Sequence, residues 1–217
     1  MSYTETPYQV ICVLGSSTAN GYWDEEGLGW VGRLSVKLAK KYPYKFGFNN
    51  LAKAGDRSVN ILHRMRVEVP WRDPDVIVIA LGTNDLIRLN SPDAQTALSE
   101  DESKAAWYEL LQLAKKQTDR VLVFGPLSAV EARLPYKIGK SDLYLWNRDA
   151  ALYNEKVKEW CSEFKCDFID NFSAWDTDDL PNLLYDTVHA NAKGHQRIAD
   201  TVFDKMAQLG WLEERAA

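Results

Sequence analysis

Val10-Ile-Cys-Val-Leu-Gly-Ser-Ser-Thr-Ala-Asn-Gly-Tyr-Trp23 runs from unbroken apolar residues into a glycine that is followed at once by three hydroxyl side chains. The apolar half has the length and continuous character of a strand covered on both faces, and the glycine ends it. Similar runs recur at 46–51, 76–81 and 121–124, with a weaker one at 167–169. Between them the spacing turns helical. Val31, Leu34, Ser35 and Leu38 share one helix face, and Ile61, Leu62 and Met65 share another. Ser99-Glu-Asp-Glu102 has the form of a capping box, opening a helix with Trp107, Leu110, Leu111 and Ala114 on one stripe. Two further helices are expected at 147–164 and 192–209. Strands that alternate with helices imply parallel pairing through right-handed crossovers, hence an α/β fold. The expected architecture is a three-layer α/β/α sandwich around a mostly parallel five-stranded sheet. No repeat or linker interrupts it, so residues 1–217 are expected to form a single domain.

Composition limits what the hydroxyls after the first strand can serve. With 217 residues, 46% hydrophobic and 26% charged, the chain suits one sizeable core. The formal charge of −5 comes without any Lys/Arg block, which argues against a nucleic-acid footprint or an anionic-membrane patch. The longest apolar runs fall well short of the ~20 residues a membrane helix needs. The N-terminal stretch has no basic region followed by an apolar one, so no secretory signal is read and the cytoplasm is expected. Cys12, Cys161 and Cys166 are odd in number and form no C-x-x-C pair, the pattern of reduced thiols rather than of disulfides or a zinc site. Asp176, Asp178 and Asp179 read as a solvated acidic turn. Neither a metal nor a cofactor is expected.

In doubly wound sheets, sites form beyond the carboxyl ends of strands near the switch in strand order. Four loops therefore matter: Gly15-Ser16-Ser17, the segment 50–55 ending in Gly55, Gly82-Thr83-Asn84-Asp85, and Asp186-Thr187-Val188-His189 before the last helix. Acyl transfer needs a nucleophile, a base, an orienter for the base and donors for an oxyanion. A serine hydroxyl attacks well only with an imidazole in hydrogen-bond reach, and His189 comes from a loop able to lie over the first strand. Asp186, three residues earlier, is placed to hold the Nδ1 proton. Gly55 permits close approach of a bare main-chain N–H, and Asn84 offers a side-chain amide. The other two histidines, His63 and His195, read as exposed helix residues without an acidic partner at a telling spacing. The long connections 86–98 and 127–145 are expected to shape the pocket. Tyr22, Trp23, Trp146, Trp175 and Tyr185 lie near these loops in sequence.

The four blocks, in this order, resemble those of the SGNH hydrolases, the GDSL-type esterase/lipase family, and the resemblance runs from Gly15 to His189. It implies the flavodoxin-like SGNH hydrolase fold, with Ser17 as nucleophile, His189 as base and Asp186 as orienter. It also implies an oxyanion hole from the Ser17 N–H, the Gly55 N–H and the Asn84 amide, with no cofactor and no metal. The implied activity is that of a serine esterase on a small or short-chain acyl ester, such as an acetyl ester, a lysophospholipid or a thioester, through an acyl-enzyme. The expected partner is thus a small-molecule ester, with no nucleic acid and no integral membrane contact.

The first block departs from the family at Ser16, where the family carries an aspartate. That aspartate is not the triad acid, so the departure bears on loop organisation and rate. Ser16 and Thr18 read as turn and N-cap hydroxyls. Two alternatives use the same residues: a flavodoxin-like ligand-binding module whose Ser16, Ser17 and Thr18 cradle a phosphate, and a family member that has lost activity. A phosphate cradle leaves Asn84 and the Asp186–His189 pair without a role.

Overall fold

The computed structural model of the protein describes residues 8–175 and 178–213. Residues 1–7, in the stretch read for a signal, and Asp176 of the acidic turn lie outside the described residues. Five strands, β1 (Gln9–Gly15), β2 (Phe46–Asn50), β3 (Val76–Ala80), β5 (Val121–Phe124) and β8 (Asp167–Ile169), pair in the order β2-β1-β3-β5-β8, and every pairing is parallel. Each strand ends within one residue of its predicted run.

The continuous hydrophobicity of these runs has a direct cause. Ile11 and Val13 pack on one face of the sheet with α2 (Gly29–Lys41) and α8 (Ala192–Gln208). Cys12 and Leu14 pack on the other with α3 (Ser58–Glu68), α4 (Glu100–Gln117) and α5 (Asn147–Glu163). Both pleat faces are closed, so alternation has no polar side to show. Strand β2 lies at the sheet's edge and is only half-buried. The expected capping box opens α4: Ser99 Oγ accepts from the Glu102 amide at 3.3 Å, and Glu102 accepts from the Ser99 amide at 2.8 Å. Trp107, Leu110, Leu111 and Ala114 are buried as the stripe required.

The two long connections carry structure that the sequence reading did not foresee. Strands β4 (Arg88–Leu89), β6 (Tyr136–Ile138) and β7 (Ser141–Tyr144) form a small antiparallel sheet in the order β4-β7-β6. An ion pair from Arg88 to Asp149 at 2.6 Å ties it to α5. The turn between β6 and β7 is the two-residue pair Gly139-Lys140, a hairpin signal flanked by Ile138 and Ser141. Short helices α1 (Ser17–Asn20), α6 (Asn171–Ala174) and α7 (Leu180–Leu183), with single 3-10 turns at Pro70–Arg72, Thr83–Asp85 and Glu131–Arg133, complete the described elements. Among the described residues no helix is long and apolar enough to cross a membrane. Cys12 and Cys161 are buried free thiols, and burial pushes Cys12 up to about 11.

Core packing and capping make separable contributions. Leu34, fully buried between α2 and the sheet, is expected to cost about 2–5 kcal/mol when cut to alanine. Ser99→Ala is expected to cost about 0.5–2 kcal/mol through the lost cap. Denaturant midpoints at unchanged m-value would check both figures.

Candidate active site

Strand β1 ends at Gly15, a position where no side chain fits. A Cβ on Gly15 would lie 2.6 Å from the Ala80 carbonyl oxygen of β3 and 2.6 Å from the Ala19 Cβ of α1. The close approach sets α1 directly on the strand end, with Ser17 as its first residue. A main-chain N–H at that position has no partner within the helix. Ser16 occupies the N-cap position at φ −108°, yet its buried hydroxyl makes no capping bond. Thr18 lies inside α1 and faces the cleft rather than capping it. The expected capping roles of these two hydroxyls are therefore not found: the geometry of α1 is held by main-chain bonds such as Asn20 N–H to the Ser16 carbonyl at 2.9 Å.

The loop after β2 is strapped to α1. Asn50 Nδ2 donates to the Ala19 carbonyl at 2.9 Å, and Asn20 Nδ2 donates to the Ala52 carbonyl at 3.0 Å. Gly55 follows at φ +83° with open space where a Cβ would stand, so its glycine answers to backbone conformation and not to crowding. The loop after β3 locks onto the same segment. Asn84 Nδ2 donates to the Asp56 carbonyl at 2.9 Å, which leaves its second amide hydrogen for another acceptor. Asp85 accepts from the Ser58 amide at 2.9 Å, at the start of α3, and from the Tyr153 hydroxyl at 2.5 Å. Burial raises the Asp85 carboxyl above its ordinary value, against the lowering effect of those hydrogen bonds.

The fourth block closes over β1. His189 Nε2 lies 2.9 Å from Ser17 Oγ, and His189 Nδ1 lies 2.8 Å from Asp186 Oδ2. Asp186 Oδ1 accepts from the main-chain amides of Val188 and His189, both at 2.8 Å. Burial pushes the Asp186 carboxyl up, but the His189 ring and the two amides outweigh it and hold the group below its ordinary 3.8. The loop is fastened from outside by Arg133, whose guanidinium donates to the Asp186 carbonyl at 2.7 Å.

Ser17, Gly55, Asn84 and His189 line one cleft of about 530 Å³, and Asp186 stands behind His189. Tyr22 and Val188 form part of its wall, and Tyr136, Lys137, Ile138 and Leu143 of the small sheet cover it. These covering residues escaped the sequence reading, although the Gly139-Lys140 turn marked their hairpin. Of the aromatic residues noted near the loops, Tyr22 reaches the cleft, while Trp23 and Tyr185 stack beside it at 4.9 Å. Trp175 is a core residue, and Trp146 turns away to donate to the Pro92 carbonyl. Among the described residues no cluster of His, Cys, Asp or Glu is gathered as a metal site.

Residues 13–197 match the GDSL-like Lipase/Acylhydrolase family. The chain belongs to that family. No curated protein matches it in sequence. Among solved structures, a lipase/acylhydrolase from Enterococcus faecalis is 21% identical, with a TM-score of 0.71 over 96% of this chain and 100% of that one. An acetylxylan esterase from Geobacillus stearothermophilus is 18% identical, with a TM-score of 0.70 over 91% and 94%. The psychrotrophic esterase EstA from Pseudoalteromonas is 17% identical, with a TM-score of 0.67 over 93% and 98%. These likenesses establish the SGNH hydrolase fold.

One feature of this GDSL-family chain overturns an expectation. His63 is exposed on α3 as read from sequence, but His195 is fully buried at the start of α8. Its Nδ1 accepts from the Trp30 amide at 3.1 Å, so Nε2 carries the proton and donates to the Tyr22 carbonyl at 2.9 Å. Burial lowers its pKa below the ordinary 6.5 and keeps the folded ring neutral. The unfolded chain takes up a proton as pH falls through 6.5, whereas the folded chain does so only at lower pH. The ring's contribution is therefore complete above 6.5 and is lost as pH falls below it. His195→Gln is expected to cost about 1–3 kcal/mol near neutrality, because a buried amide or carbonyl loses its partner. The stability gap to wild type should narrow in acid, as read by denaturant titrations at a series of pH values.

Proposed function

We propose that this GDSL-family hydrolase cleaves short-chain acyl esters through an acyl-enzyme formed on Ser17. The observation that carries the reading is the unbroken line from Ser17 Oγ through the His189 ring to Asp186, at 2.9 and 2.8 Å. In this reading His189 Nε2 takes the Ser17 proton as Oγ bonds to the ester carbonyl carbon. The carbonyl oxygen becomes an oxyanion, held by the N–H groups of Ser17 and Gly55 and by the spare amide hydrogen of Asn84. Collapse breaks the bond to the alcohol oxygen, which leaves with the proton from His189. Water then repeats the sequence on the acyl-serine, releasing the acid and restoring the hydroxyl. Asp186, held ionised by its ring and amide contacts, fixes the tautomer and balances the imidazolium charge.

A cleft of about 530 Å³ covered by the small sheet supports a small acyl group. The acetylxylan esterase among the structural neighbours supports the same acyl size. Ser16 in place of the family aspartate leaves this line of contacts untouched.

A chromogenic acetyl or butyryl ester tests the reading. Ser17→Ala is expected to lower kcat by about 10⁴-fold or more. Asn84→Ala should lower kcat by about 10²–10³ with little change in KM, since an oxyanion donor acts in the transition state. Wild-type kcat/KM should rise with pH as the base loses its proton, and a chelator should leave it unchanged. Activity that survives Ser17→Ala, or that a chelator abolishes, would remove the mechanism.

A further inference from the structure

We infer that Tyr153, a buried residue of α5 behind the cleft, is a positioning residue of the oxyanion hole that holds the Gly82–Asp85 turn presenting Asn84; the inference rests on the esterase reading above. Tyr153 touches both ends of that turn. At its first residue, Gly82 has φ +133°, and a Cβ there would lie 2.9 Å from Tyr153 Cε1 and 3.0 Å from Pro126 Cδ. At its last residue, the Tyr153 hydroxyl meets Asp85 Oδ2 at 2.5 Å. Asn84 stands between these two anchors. The turn itself is closed by the Asp85 amide donating to the Gly82 carbonyl at 3.1 Å and the Leu86 amide to the Thr83 carbonyl at 3.2 Å.

The direction of the Tyr153 hydrogen bond is forced by its neighbours. Trp107 Nε1 can only donate, and it lies 2.7 Å from the phenol oxygen. The phenol therefore accepts there, and its single proton points to Asp85. Burial and the neighbouring carboxylate push the Tyr153 hydroxyl well above its ordinary 10, so the proton stays on the phenol. The other oxygen of Asp85 accepts from the Ser58 amide at 2.9 Å. Ser58 closely follows Gly55 and Asp56, and the Asp56 carbonyl receives Asn84 Nδ2 at 2.9 Å. One carboxylate thereby spans the two flanks of the oxyanion site, and Tyr153 sets where it stands.

Filling the core does not require the hydroxyl. Phenylalanine would occupy nearly the same volume beside Trp107, but it would leave the buried Asp85 one donor short. What the phenol adds is the placement of a carboxylate one residue from the Asn84 amide. An oxyanion donor works by standing in advance where the charge will form. A loosened turn therefore costs rate and leaves ground-state binding alone.

Steady-state hydrolysis of a chromogenic acetyl ester tests the assignment. Tyr153→Phe is expected to lower kcat about tenfold with KM within about twofold of wild type. In the Asn84→Ala background the same substitution should lower kcat by no more than about twofold, because the group it positions is gone. Asp85→Asn keeps the side-chain volume and the acceptor for the Ser58 amide. It should follow the same pattern, and it decides the matter if Tyr153→Phe does not fold. Leu34→Ala, packed on the opposite face of the sheet, loses stability and should keep wild-type kcat, which separates positioning from general loosening. A kcat within about twofold of wild type in either folded variant, a full loss retained in the Asn84→Ala background, or an equal loss in Leu34→Ala would overturn the assignment and leave the esterase intact. Acetate release that survives Ser17→Ala would instead overturn the esterase reading, and this inference with it.

Discussion

At Gly15 the first strand passes so close to the third that a methyl group would stand 2.6 Å from the Ala80 carbonyl oxygen. That contact sets the height at which α1 begins, and with it the height of Ser17 above the sheet. It also occurs on the strand where the sheet order reverses, since β1 has β2 on one side and β3 on the other. The loops leaving those two neighbours diverge around the end of β1, and the space between them is the cleft. Gly55 reaches it from one flank and Asn84 from the other. A bulkier residue at position 15 would move the strand end, the short helix and the relation of Ser17 to both flanks together.

The flanking loops are not positioned by packing alone. Asn50 and Asn20 tie the segment after β2 to α1, Asn84 ties the loop after β3 to Asp56, and Asp85 reaches the amide that opens α3. Each of these bonds runs between a short polar side chain and the main chain of a different segment. Such bonds fix separation as well as orientation, because a carboxamide or carboxylate has little length to spare. Tyr153 and Trp107 extend the chain of contacts from Asp85 into the α4–α5 layer, where the hydroxyl accepts from the indole at 2.7 Å. The polar edge of the site is thereby joined to the hydrophobic core beneath it.

The sheet was legible because β1, β3 and β5 are covered on both faces, and runs such as Val76–Ala80 or Val121–Phe124 contain nothing else to read. The four chemical blocks were legible for another reason: the residue types needed for acyl transfer are few, and each stands at a strand end or before a helix. The small covering sheet was not. Strands of two to four residues are shorter than the periodicity that would reveal them. His195 was misread because its partners are remote. The Trp30 amide is 165 residues away and the Tyr22 carbonyl 173, so no local pattern distinguishes it from an exposed helix residue.

The covering sheet differs from the main one in how it is joined to the molecule. Strand β4 meets β7 through two residue pairs and β7 meets β6 through three, with Leu89 and Ile138 left largely exposed. Its closure requires segments more than fifty residues apart in the chain to meet, and little apolar surface is removed from water when they do. Such a unit opens at a small fraction of the free energy that unfolds the central strands. Its amides therefore trade hydrogen for deuterium well ahead of those in β1, β3 and β5, and a protease that finds the Gly139 turn can cut there while the doubly covered sheet stays whole.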